Sequence, residues 1–122
     1  MTCAFELDHV QLAIPAGGEA AARAFFGGLL GLDEIAKPAE LAARGGCWFT
    51  LGAHQLHLGV AADFRPAKKA LVGIATGDLA GLRARFEQAG IATRDDVPVF
   101  DRERFFADDP FGNRLEFIES AA

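Results

Sequence analysis

The stretch Asp109-Pro110-Phe111-Gly112-Asn113-Arg114-Leu115-Glu116-Phe117-Ile118-Glu119 decides the fold. Its Pro, Gly and Asn set a turn, and an alternating strand follows. Successive strand side chains point to opposite faces, so Arg114, Glu116 and Ile118 share one face while Leu115 and Phe117 take the other. A carboxylate set between Leu and Phe is costly to bury unless it is paired or holds a cation. The strand therefore asks for a partner elsewhere in the chain.

An internal repeat supplies the frame for that partner. Sliding by 59 residues sets Leu56-His57-Leu58 on Leu115-Glu116-Phe117. Sliding by 62 sets His9-Val10-Gln11-Leu12-Ala13 on Leu71-Val72-Gly73-Ile74-Ala75, and the difference falls in the loop Pro15-Ala16-Gly17-Gly18. In the first half, alternation predicts a strand over 5–14. A helix over 19–30 follows, with Ala21, Ala22, Phe25, Phe26, Leu29 and Leu30 as its apolar stripe and Gly31 as its stop. A short strand over 33–37, a loop or helical turn over 38–44, and strands over 47–51 and 54–60 complete that half. The second half repeats the plan: a strand over 70–76, a helix capped by Asp78 and running to Gln88, a strand-like stretch over 91–99, and strands over 102–108 and 113–119. The expectation is an α+β fold of two repeated βαβββ modules forming curved mixed sheets around a cavity. Module one covers 1–60, a linker 61–69, and module two 70–122, together one domain.

The bulk numbers narrow the function. A chain of 122 residues that is 51% hydrophobic and 24% charged is globular, not disordered. A net charge of −5 with no dense run of Lys or Arg speaks against nucleic acid and anionic membrane as partners, and favours cationic ligands. The N-terminal residues have no basic segment followed by an apolar run, and no window approaches the roughly 20 apolar residues of a membrane span. These features predict a cytoplasmic protein with Cys3 and Cys47 as reduced thiols.

The repeat makes four positions equivalent: His9, His57, Leu71 and Glu116. Two imidazoles and a carboxylate on rigid strands can hold a divalent ion and leave positions open for water or substrate. Iron, nickel, zinc, cobalt and manganese all suit such a donor set; ligand type does not choose among them. Leu71 cannot ligate. Gln11 and Gln55 share the inward phase and can orient a substrate carbonyl. Arg114, on the face of Glu116, can hold a carboxylate or phosphate. Trp48, Phe49, Phe105 and Phe106 read either as core or as the aromatic wall of a pocket, and Asp101-Arg102-Glu103-Arg104 reads as a solvated face.

The segments Asp8-His9-Val10-Gln11-Leu12, Gln55-Leu56-His57-Leu58-Gly59, Gly77-Asp78-Leu79 and Asp109 through Glu116 resemble the vicinal oxygen chelate superfamily, over essentially the whole chain. That group includes glyoxalases, bleomycin-resistance proteins and extradiol dioxygenases. The resemblance implies metal ligands at His9 and Glu116, and it sets His57, the third candidate ligand, where glyoxalase-like members carry a carboxylate. Glu116, if displaced from the metal, can act as a general base, and parity and residue type make Gln11, Gln55, Arg114 and Trp48 the candidates that line the substrate site. It also implies a homodimer in which the two modules of different chains complete a site. Leu71 stands where catalytic members carry a second-module histidine.

Three functions stay open on this reading. The first is a glyoxalase-like lyase, isomerase or dioxygenase that binds a small substrate at a divalent metal. The second is a metal-free dimer of the bleomycin-resistance type that sequesters a small molecule. The third is a non-catalytic domain that keeps the scaffold.

Overall fold

Each half of the chain closes a four-stranded mixed sheet by laying its last strand beside its first. The computed structural model describes residues 4–121; Cys3 lies outside the described residues. In the first half the elements are β1 (His9–Ile14), α1 (Glu19–Ala22) continuing directly as a π-helical stretch (Arg23–Leu29), β2 (Glu34–Ile35), α2 (Ala39–Ala42), β3 (Cys47–Leu51) and β4 (His54–Val60). The second half contains β5 (Val72–Thr76), α3 (Leu79–Gln88), β6 (Arg94–Asp95), β7 (Arg104–Asp108) and β8 (Arg114–Glu119). Two compact units meet in sequence between Arg65 and Pro66.

Strand order is β1-β4-β3-β2 in one unit and β5-β8-β7-β6 in the other. The pairs β1–β4 and β5–β8 are parallel and all other pairs antiparallel. This is the two-module βαβββ, α+β architecture that the repeat predicts. Its register carries the same offsets. Gln11 pairs with His57 and Gly73 with Glu116; Trp48 pairs with His57 and Phe106 with Glu116.

One face of each sheet is buried under its helix. In the first unit Phe25, Phe26, Cys47, Phe49, Leu56 and Leu58 are buried, with Phe26 and Phe49 at 6.1 Å between ring centroids. In the second, Phe86 on α3 meets Phe105 at 5.7 Å and Phe117 at 5.3 Å, and those two lie 5.4 Å apart. Aromatic groupings of this kind anchor a small core through area and ring geometry together. Phe49 and Phe105 are therefore core residues, whereas Trp48 and Phe106, one position along, face the other way. α3 starts where Asp78 accepts a hydrogen bond from the Gly81 amide at 3.0 Å, the cap that its sequence predicts.

Beyond shorter strands at Glu34–Ile35 and Arg104–Asp108, three elements differ most from expectation. The first helix is α-helical only to Ala22, then widens; the Leu30 amide donates to Phe25 O at 3.0 Å. Widening the turn reduces the angle between successive side chains, so the adjacent rings of Phe25 and Phe26 both reach the core. The first strand starts at His9, not residue 5, because its partner β4 begins at His54 and offers no ladder upstream. The strand-like stretch 91–99 shrinks to Arg94–Asp95. Asp96 accepts from the Val97 amide, Pro98 donates nothing, and Phe100 and Asp101 take left-handed φ values of 50° and 57° in the Val99–Arg102 turn.

The turn Asp109–Asn113 is closed from within. Asp109 Oδ1 accepts from the amides of Phe111 and Asn113, and Oδ2 accepts from Asn113 Nδ2, at 2.8–2.9 Å. Both side chains are buried. This Asx turn aims β8 along the sheet and is the reason that Asp and Asn occupy those positions.

Gly46 opens β3 at φ +80°, where a Cβ would stand 2.0 Å from Leu58 O. Gly52 has φ +59° with nothing within 4 Å. Gly46→Ala should therefore cost about 3 kcal/mol or more, and Gly52→Ala only about 1–2 kcal/mol. Urea unfolding of both variants beside the parent measures the difference; equal losses would mean that the backbone approach at Leu58 does not constrain β3.

Candidate functional site

On the face of the first sheet away from its helix, three rings stack across three strands. Trp48 from β3 lies on His57 from β4 at 3.7 Å between centroids and 1° between planes. His57 in turn lies on His9 from β1 at 4.2 Å and 20°. Antiparallel register puts Trp48 directly opposite His57. His9 reaches the pair diagonally on the parallel strand, two residues before Gln11, the register partner of His57. The clamped imidazole is 6% exposed.

Hydrogen bonds fix the ring nitrogens. His57 Nε2 lies 2.8 Å from Gln55 Oε1, and an amide oxygen only accepts, so Nε2 carries the proton. Burial lowers the His57 pKa from its ordinary 6.5, and the neighbouring His9 lowers it further, so the ring is neutral at pH 7 with a lone pair on Nδ1. His9 Nδ1 donates to the Asp8 carboxylate at 2.8 Å.

This geometry tests the predicted metal. An ion lies in the plane of each imidazole that binds it, at roughly 2 Å from the nitrogen. Rings stacked at 4.2 Å with planes only 20° apart do not converge within that reach. In this arrangement His9 and His57 lie face to face and do not fit as joint ligands of one ion. Among the described residues, no three His, Cys, Asp or Glu side chains gather in a way that could hold a metal.

Glu116 sits on the equivalent face of the second sheet. Its Oε1 accepts from Arg104 Nη1 at 2.7 Å, and both side chains are about 15% exposed. Arg104 also donates from Nε to Val97 O at 2.9 Å and pairs with Asp96 at 3.3 Å. The carboxylate that the C-terminal strand left unanswered is answered by an arginine. Arg104 is therefore no solvated residue, contrary to its charge-run reading; it shares the parity of Phe106 on β7, and that parity was the available signal. Arg114 rests over the Phe106 ring at 4.5 Å, and its Nε is buried without a hydrogen-bond partner. Leu71 lies just before β5 and is 38% exposed.

Of the expected substrate residues, Gln11, Gln55 and Trp48 gather around His57 in the first unit, while Arg114 accompanies Glu116 in the second. Gln11 and Trp48 also line a cleft of about 200 Å³ together with Lys37 and Arg44, two cations that the sequence reading passed over. Cys47 is a free thiol buried in the core, and burial raises its pKa.

The neutral, clamped state of His57 has a pH consequence. Its native pKa lies below that of the unfolded chain, so unfolding takes up a proton in that window and stability falls as pH drops through about 6.5. His57→Gln should flatten this part of the profile in thermal melts from pH 7.5 to 5; an unchanged slope would show that His57 is not the group responsible.

No protein-family model and no curated protein matches the chain. Solved structures do. A protein described as glyoxalase family from Bacillus anthracis is 42% identical, covers 99% of both chains and superposes with a TM-score of 0.93. A genomically encoded fosfomycin resistance protein from Listeria monocytogenes shares 10% identity over 98% of this chain and 96% of its own, with a TM-score of 0.76. The lactoylglutathione lyase of Agrobacterium tumefaciens shares 20% identity over 94% and 93%, with a TM-score of 0.73. These last two share the fold. With the near-complete match at 42% identity, two mixed sheets in βαβββ order and the pseudo-repeated first and last strands, the chain belongs to the glyoxalase family of the vicinal oxygen chelate superfamily.

Proposed function

We propose that this chain is a small-molecule-binding member of its family that uses the open face of its first sheet without a metal ion. The observation that carries the reading is the Trp48–His57–His9 stack. It presents an aromatic wall, holds His57 neutral, and places the carboxamides of Gln55 and Gln11 alongside, the mix of flat apolar surface and few fixed polar groups that small-ligand sites use. The stack supports the second function that the sequence leaves open, a metal-free sequestering protein of the bleomycin-resistance type. Lyase, isomerase or dioxygenase chemistry at a divalent metal would require His9 to leave the stack and Glu116 to leave Arg104.

Trp48 is the sole tryptophan and reports on its own site. Titrations with diols, hydroperoxides, thiol adducts and aromatic cations should include at least one class that shifts its fluorescence with no metal added and with chelator present. His57→Ala should weaken that binding about fivefold to tenfold. Binding or turnover that needs added nickel, zinc, iron(II) or manganese, and that is lost in both His9→Ala and Glu116→Ala, would overturn the metal-free reading and restore His9, His57 and Glu116 as ligands.

The reading includes a homodimer. Phe5, Leu7 and Phe100 are 94%, 55% and 89% exposed, and apolar side chains left this bare favour a covering partner. Sedimentation equilibrium should give twice the chain mass, and a monomer at micromolar concentration would remove the dimer from the proposal. Among the described residues, no helix is long and apolar enough to cross a membrane.

A further inference from the structure

The cleft beside Trp48 has a charge opposite to that of the chain. Its lining draws Gln11 from β1, Trp48 from β3, Gly59 from β4, and Lys37 and Arg44 from either side of α2. Neither Asp nor Glu lines it, although the whole protein carries −5. The Glu19 carboxylate behind Gly45 attracts Lys37 electrostatically but accepts from the Gly46 amide at 2.8 Å instead of forming an ion pair with Lys37. Lys37 donates to Gly45 O, which uses one of its three ammonium protons and leaves two. Among the described residues, neither Lys37 nor Arg44 is in an ion pair, whereas Arg23, Arg83, Arg94 and Arg104 all are.

Two cations that line one small cleft without an ion pair of their own leave positive charge there for an anion to meet. A lysine supplies a point charge and an arginine a planar fork, and both bond carboxylate or phosphonate oxygens more strongly than neutral groups. Gln11 adds amide donors from the opposite wall. Gly59 makes room for it, since a Cβ there would stand 3.1 Å from the Gln11 carboxamide. The volume of about 200 Å³ is below the roughly 300–1,000 Å³ of drug-sized sites, which selects a compact ligand.

We infer that the cleft recognises a small organic acid, with its carboxylate or phosphonate head between Lys37 and Arg44, met by Gln11, and its planar or apolar body against Trp48. This rests on the ligand-binding reading above and names its substrate class; it also replaces the preference for cationic ligands that net charge alone suggests.

The test uses the intact protein and the fluorescence of Trp48, with benzoate, phenylphosphonate, benzamide and inorganic phosphate as probes. Benzoate or phenylphosphonate should bind, and benzamide, of the same shape without the charge, should bind at least tenfold more weakly. Lys37→Ala should lose about tenfold in affinity for the acid. Arg44→Gln, which breaks no internal bond, should lose a similar factor and covers the case in which Lys37→Ala loosens the Gly45 loop. Equal binding of benzoate and benzamide, or parental affinity in both variants, would overturn the anion assignment while leaving a ligand-binding protein. Inorganic phosphate binding as tightly as the organic acids would overturn the role of Trp48. Silence with all four probes would also overturn the assignment, and the broader metal-free titration then decides separately whether the face binds any small molecule.

Discussion

The parallel pairing of first and last strand within each unit is the constraint on which everything else rests. A parallel pair cannot be joined by a tight turn, so the chain must travel through a helix and further strands before it returns. Those intervening elements cover one face of the sheet and leave the other open. Because β1 lies beside β4 with Gln11 at His57, and β5 beside β8 with Gly73 at Glu116, each open face receives a polar residue at its centre. A slip of one residue would send His57 into the apolar core and bring Leu56 or Leu58 out. The burial of Leu56, Leu58, Leu115 and Phe117 under helices is what holds that register.

The two units solve the same problem differently. Each carries a polar group at the corresponding central position of a strand flanked by apolar neighbours, and each must satisfy it. In the first, His57 is neutral, donates a hydrogen bond from Nε2 to Gln55, and is covered on both ring faces by Trp48 and His9. In the second, Glu116 is met by Arg104 across the antiparallel pair. Burying an ionised carboxylate costs several kcal/mol unless a counter-charge stands close with good geometry, and Arg104 supplies it. Phe106 takes the place of Trp48 and carries guanidinium groups of Arg104 and Arg114 over its ring, a cation–π counterpart of the imidazole stack. One repeated plan thus supports two local chemistries, aromatic in one half and ionic in the other.

That divergence shows how far residue type and strand parity underdetermine a site. His9, His57 and Glu116 are all capable ligands, and each is on the face expected from strand parity. Parity says which way a side chain leaves the backbone; it does not say where the ring plane lies or what else is within reach. Trp48, directly opposite, supplies a flat surface, and stacking on it turns the imidazole edge away from the geometry that chelation with His9 requires. Arg104, one charge within an acidic and basic run in the sequence, is on the same face as Glu116 once β7 and β8 are paired. Similarly, Lys37 and Arg44 are ordinary surface cations in sequence, and the fold brings both to the cleft that Gln11, Trp48 and Gly59 line.

The sequence by itself determined the repeat, the two offsets, the two mixed sheets, the strands over 47–51 and 54–60 to the residue, and the Asp78 cap, because hydrophobic periodicity, Gly stops and capping residues act locally. The family was also legible, in the Asp109–Glu116 stretch whose Asx turn and alternating strand leave little freedom. Tertiary structure decided the rest. The widening of the first helix followed from two adjacent rings competing for one core, and the loss of the strand over 91–99 from side-chain and turn bonds that captured its backbone. The pairing of Glu116 with Arg104, the clamping of His57, and the cationic cleft beside Trp48 depend on which strands lie side by side and how their side chains orient, and such contacts between distant residues leave no period or spacing in the chain.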